Sequence, residues 1–195
     1  MHALPITSVI LAAAFLSSAI PTGTADLTPR ACVTQYPSLI DHIYEISPDY
    51  ANSQTDFFEI AYDTVSGDSR LYRRDVVVQF DNIPAGSYGC QLEAYFPAGG
   101  HVDRYGASQV NVFTVDKHAA PGDTWDTAPR QRNLVGTITF EADPSEPTKR
   151  VVNSAVCNST LTYRFTIAST TAVGEVYFQQ APGVNGQGLR LTHNC

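Results

Sequence analysis

The sequence predicts an all-β chain: an antiparallel β-sandwich, jelly-roll or Ig-like, with one short helix near its N-terminal end. Three observations carry that expectation. Apolar residues alternate with polar ones from Phe57 onward, as in Phe58, Ile60 and Tyr62, or Val76, Val78 and Phe80, which is the signature of half-buried strands. Turn-forming clusters separate these runs, among them Ser66-Gly67-Asp68, Asn82 to Gly86 and Pro97 to Gly100. No helical stretches alternate with the strands, which excludes a parallel α/β sheet.

Taken in chain order, residues 1–25 read as a signal peptide. Leu4 to Ile20 is an apolar run too short to span a bilayer, followed by small residues that offer cleavage positions between Ala19 and Ala25. Residues 26–195 are then one sandwich domain. Tyr36, Leu39, Ile40, Ile43 and Ile46 recur at helical spacing, with Ser38 as N-cap and Pro48 as stop, so a short helix is expected over Pro37–Ile46. Eight or nine strands follow, including Cys90 to Phe96, Val110 to Val112, Leu134 to Phe140, Leu161 to Ile167, Val173 to Phe178 and Leu189 to Leu191. His118 to Gln131 is the longest polar interruption and reads as a surface loop around the single tryptophan, Trp125.

Charge narrows the function classes. With 12 Lys and Arg against 19 Asp and Glu, the net charge of -7 excludes sequence-independent binding to nucleic acid or to anionic membranes. Cys32, Cys90, Cys157 and Cys195 lie outside the leader and form no C-x-x-C pair, so they read as two structural disulfides of an oxidising compartment. Three connectivities exist. Consecutive elements are usually neighbours in space, which makes Cys32–Cys90 with Cys157–Cys195 the first choice. Asn158-Ser159-Thr160 is an N-glycosylation sequon.

Catalytic motifs are sparse. Gly67-Asp68-Ser69 has the order of a serine-hydrolase block, but a hairpin turn explains the same residues and no partner histidine motif accompanies it. Glu93, in Leu92-Glu93-Ala94-Tyr95-Phe96, could pair with Glu175 or Glu141 as the two carboxylates of a small glycoside hydrolase. Its strand phase points it outward as a solvated carboxylate. His42, His101, His118 and His193 are scattered, so neither a metal nor another cofactor is called for. The dibasic pairs Lys149-Arg150 and Arg73-Arg74 read as strand-end charges. Tyr88, Tyr105 and Trp125 stand beside turns, and Trp125 is the ligand-binding candidate because a loop indole near Asp123 and Asp126 offers an apolar plane beside acceptors.

The stretch from Phe80-Asp81-Asn82-Ile83-Pro84-Ala85-Gly86 through Cys90-Gln91-Leu92-Glu93, then Phe96-Pro97, Gln109 to Phe113 and the closing Gly188 to Cys195 resembles the fungal ubiquitin-3-binding protein C-terminal domain, or But-two, family. Pro29 to Cys32 and Tyr36-Pro37 fit as well. The resemblance implies no catalytic residues. It implies an adaptor role toward the activating enzyme of a ubiquitin-like modifier, or, for chains with a signal peptide such as this one, a secreted cell-wall or surface protein. Read with the leader, the expectation is a secreted, non-catalytic module that binds cell-wall polysaccharide or an extracellular protein.

Overall fold

The structure, a computed structural model, describes residues 32–183 and 186–195; the signal-peptide expectation for residues 1–25 lies outside them. Within the described residues, every regular element is a strand: β1 (Val33–Gln35), β2 (Leu39–Tyr44), β3 (Phe57–Thr64), β4 (Leu71–Phe80), β5 (Cys90–Phe96), β6 (Asp103–Gly106), β7 (Gln109–Val115), β8 (Gln131–Thr139), β9 (Thr148–Ala155), β10 (Leu161–Ile167), β11 (Gly174–Gln179) and β12 (Gly188–His193). No helix there is long and apolar enough to cross a membrane.

The strands form two antiparallel sheets. The smaller runs β1-β12-β5-β9; the larger, curled sheet runs β6-β11-β3-β4-β10-β7-β8, with β2 also hydrogen-bonded to β4. The long strand β4 is shared: its start pairs with β3 (Thr64↔Leu71 to Ala61↔Arg74) and the rest with β2 (Tyr44↔Arg74 to Leu39↔Gln79). One core lies between the sheets, joining Cys90, Leu92, Ala94, Phe96, Leu189 and Leu191 of the smaller to residues of the larger such as Val76, Val78, Val112 and Phe165. An aromatic group organises it. Phe58 stacks on Phe178 at 4.7 Å, and Phe96 meets Phe178 edge-on at 5.2 Å, the two geometries that the ring quadrupole favours.

The expected helix over Pro37–Ile46 is a strand, β2. Its residues are buried on both faces, Ile40 in the main core and Leu39 and Ile43 in a satellite cluster with Val77, Ala119 and Ala128. Two-sided burial removes the period-two alternation and leaves spacings that mimic a helix face. His42 completes the joint. Its Nε2 accepts from the Glu59 N–H at 3.1 Å and its Nδ1 lies 3.2 Å from Thr55 Oγ1, so the ring serves as a ladder partner where β3 leaves β4.

The disulfides also differ from the first choice: Cys32 bonds Cys195 and Cys90 bonds Cys157, with Cα atoms 4.3 and 5.3 Å apart. The first strand lies beside the last, Val33 opposite His193, and β5 lies beside β9, Cys90 opposite Ala155. Sheet pairing therefore brings sequence-distant cysteines together. A similar substitution closes the edge of β12 where β1 ends: the Gln180 amide accepts from Leu189 N at 2.8 Å and donates to Leu189 O at 2.9 Å. Gly188, at φ 104°, leaves room for that amide, since a Cβ there would lie 2.3 Å from Gln180 Oε1.

Candidate functional site

The tryptophan loop is a strap. Residues 116–130 lie over β2, β4 and β10, and Trp125 is half-buried against the satellite cluster rather than presented to solvent. Beneath it, Arg164 of β10 donates from Nε to Asp75 Oδ2 at 2.8 Å and from Nη1 to Pro129 O at 3.3 Å. Gln79 Oε1 accepts from the Ala119 N–H and from Thr162 Oγ1, both at 2.8 Å. Asp123 folds the strap on itself by accepting from the Ala120 N–H at 2.8 Å. These contacts hold the strap down, and Trp125 is committed on one side to packing against the satellite cluster and Arg164.

Glu93 is fully buried, contrary to the solvated carboxylate its phase suggests. It does face outward from β5, but Lys149 Nζ of β9 at 2.7 Å, Arg190 Nε of β12 at 3.0 Å and Thr192 Oγ1 at 3.0 Å close over it. A bulge opposite Leu92 and Glu93, where Val152 of β9 is skipped in the register, re-aims the strand at that point. Tyr95 then carries the Arg190 guanidinium at 4.0 Å. Every oxygen of Glu93 has a cationic or hydroxyl partner. The structure does not bring Glu93 to Glu175, which belongs to the other sheet, and Glu141 is engaged with Arg104 at 3.5 Å and Arg150 at 3.6 Å.

Gly67-Asp68-Ser69 is the β3–β4 turn. Asp68 accepts from the Arg70 N–H at 2.8 Å and from the Tyr72 hydroxyl at 2.6 Å, and the Tyr72 hydroxyl holds its carboxyl below the usual range. His101 reaches Asp103 at 2.9 Å on the surface, His118 lies 3.3 Å from Thr162 Oγ1, and His42 and His193 are buried. Among the described residues no three His, Cys, Asp or Glu side chains gather as metal ligands. Asn158 is exposed.

The most varied chemistry lies where β3, β4 and β11 meet the end of β2. A groove of about 160 Å³ there is lined by Tyr44, Glu59, Tyr72, Arg74 and Glu175, among others. Arg74 pairs with Glu59 and lies 5.6 Å from the Tyr44 ring centre, and Tyr44 meets Tyr50 edge-on at 5.9 Å. Burial raises the Tyr44 hydroxyl above its ordinary range. Glu175 also lines a second groove of about 160 Å³ with Asp103, Arg104 and Tyr105, its cross-strand partner, which is 67% exposed. The two grooves thus share one carboxylate and together draw on five strands, β2, β3, β4, β6 and β11. Each is smaller than the roughly 300–1,000 Å³ of sites that enclose a small molecule, so the surface reads edges of something larger. The dibasic pair Arg73-Arg74 is the sequence trace of this site: beside Tyr72, and with acids on the facing strands, it marks an arginine–tyrosine–carboxylate surface.

The fold and these surfaces define a disulfide-bonded, all-β protein with a sandwich-like core and a grooved sheet face. No protein-family model matches the chain, and no curated protein does. Two disulfides fit an oxidising environment.

Proposed function

We propose that the chain is a secreted, non-catalytic β-sandwich module of the kind the But-two resemblance implies, jelly-roll or Ig-like in architecture, and that it binds polysaccharide of the cell wall or surface along the curled sheet. The observation that carries this reading is the pair of grooves joined at Glu175. Tyrosine rings offer flat apolar planes to the carbon face of a sugar, while Glu59, Glu175 and Asp103 offer acceptors to its hydroxyls. Both grooves sit on strands, which hold their spacing better than loops do. Their shallow, open form suits a long polymer, and Arg74 neutralises Glu59, which argues for binding over acid–base chemistry. A panel of insoluble and soluble glycans, tested with the protein secreted from its full chain, decides the matter. Binding that falls at least tenfold in Tyr105→Ala and Glu175→Ala, with melting temperature unchanged, supports the proposal; binding indifferent to both variants, or absent from every glycan, overturns it.

A further inference from the structure

On the smaller sheet, where β5 begins and β9 ends, an open, mostly apolar shelf of about 500 Å³ is formed by Ser87, Tyr88 and Gly89 on one side and Ala155, Val156 and Cys157 on the other. Val156 is 81% exposed and Tyr88 50%, and Val156 is the most exposed large hydrophobic side chain among the described residues. The shelf ends at Asn158, the exposed asparagine of the sequon. Two residues of extended chain span at most about 7 Å, so a group rooted on Asn158 begins at the shelf's margin.

That root is held on both sides. Cys157 is bonded to Cys90, Ser159 O accepts from the Ile83 N–H at 3.0 Å, and Thr160 Oγ1 donates to Asp81 Oδ1 at 2.9 Å. A glycan on a mobile loop sweeps solvent, but one on a segment pinned at the preceding and the two following residues keeps a narrow range of directions. The first N-acetylglucosamine has an apolar ring face and an N-acetyl methyl group, both complementary to a tyrosine and a valine side chain.

We infer that Asn158 is N-glycosylated and that the shelf of Tyr88 and Val156 is the seat of the first N-acetylglucosamine, making the glycan part of the folded structure. The modification forms a bond from Asn158 Nδ2, which gives up one proton, to the anomeric carbon of a lipid-pyrophosphate-linked oligosaccharide. The anomeric C–O bond to pyrophosphate breaks, and the lipid pyrophosphate leaves with the electron pair. Because the Thr160 hydroxyl is engaged with Asp81 in the fold, transfer precedes folding. The inference rests on the secretory route proposed above.

The test uses the full chain expressed in a eukaryotic secretory host, as wild type, Asn158→Gln, Val156→Asp and the double variant Val156→Asp/Asn158→Gln. Intact mass of the secreted wild type should show one glycan, absent from Asn158→Gln. Trimming the glycan enzymatically to a single N-acetylglucosamine should leave the melting temperature unchanged and about 2–4 °C above Asn158→Gln, the shift one good contact produces in a domain of this size. In Val156→Asp, at an exposed position that carries no folding role, the difference between trimmed and unglycosylated protein should vanish. A secreted wild type without glycan overturns the inference and leaves the secretory reading standing; a chain retained in the cell overturns both. A trimmed form that melts with Asn158→Gln, or a glycosylated protein that self-associates through Val156, shows that the shelf seats something else and overturns the assignment.

Discussion

The guanidinium of Arg164 lies 4.7 Å from the centre of the Trp125 ring while both its Nε and its Nη2 reach Asp75 Oδ2 at 2.8 Å. A buried ion pair on its own is weak evidence for stability, because desolvation offsets most of the Coulombic gain. The indole changes that balance by covering the cation with a π face and excluding water from the pair. Asp75, Arg164 and Trp125 belong to β4, β10 and the strap, so one stacked unit joins three segments far apart in sequence.

Trp125→Ala should therefore destabilise the protein by about 2 kcal/mol, below the about 3–5 kcal/mol of a fully buried Trp because one side of the ring is open. In melting temperature that is a fall of about 4–8 °C. Trp125→Phe should keep much of the stacking and lose less. An unchanged melting temperature for the alanine variant would show that the strap is held by its hydrogen bonds and its alanine packing without help from the indole.

The disulfide arrangement is read directly by peptide mapping without reduction. The Cys32 peptide should travel with the C-terminal peptide of Cys195, and Cys90 with Cys157. The bridges span 163 and 67 residues of chain, so in the loop-entropy account each contributes about 4–5 kcal/mol, the Cys32–Cys195 bridge slightly more. Replacing Cys32 and Cys195 by serine should lower the melting temperature at least as much as replacing Cys90 and Cys157. The reverse order, by a wide margin, would show that local packing around the fully buried Cys90 outweighs chain entropy.

Glu93→Ala should cost about 3 kcal/mol, because it leaves Arg190, whose side chain is 16% exposed, facing Lys149 without an anion between them. Lys149→Ala should cost much less, since the lysine is half exposed and Glu93 keeps Arg190 and Thr192. Urea midpoints of the two variants measure the difference. Equal losses would mean that the two cations and the Thr192 hydroxyl do not act as a closure around one carboxylate.

Much of the fold is legible in the sequence because alternation survives wherever one strand face meets the core: Val76, Val78 and Phe80, or Cys90, Leu92, Ala94 and Phe96, point inward as their phase requires. Legibility fails where a tertiary neighbour covers the second face. β2 lost its alternation under the strap, and Glu93 has the outward phase but is sealed by residues from two other strands. The cysteine pairing was hidden for the same reason, since no local pattern says that β1 lies beside β12. Trp125 was visible as a residue of consequence, yet its partner Arg164 sits in the outward phase of a strand 39 residues away. The grooves were hardest to see, because they draw on five strands whose order in the sheet is not sequential.

Asp41 and His42 are adjacent in β2 and are shifted in opposite directions. Burial, with a further push from the negative Asp123, raises the Asp41 carboxyl from 3.8 to about 6, and neither of its oxygens has a hydrogen-bond partner among the described residues. Burial, reinforced by Arg74, lowers His42 from 6.5 to about 4. The signs are opposite. With its folded pKa raised, Asp41 is most favourable below pH 3.8 and costs stability progressively as pH rises to about 6. His42, with its folded pKa lowered, is fully favourable above pH 6.5 and costs stability as pH falls toward 4. Each shift corresponds to about 3 kcal/mol, so over pH 4 to 6 the two slopes nearly cancel. Asp41→Asn removes one of them: relative to wild type, its stability should rise by about 3 kcal/mol between pH 4 and pH 6.5. His42→Gln, which keeps an acceptor for the Glu59 N–H, should show the mirror image, losing about 3 kcal/mol relative to wild type over the same interval. Urea unfolding at half-unit steps of pH measures both difference profiles, in which every other titrating group drops out. Profiles parallel to wild type in both variants would show that neither group carries the shift its burial implies.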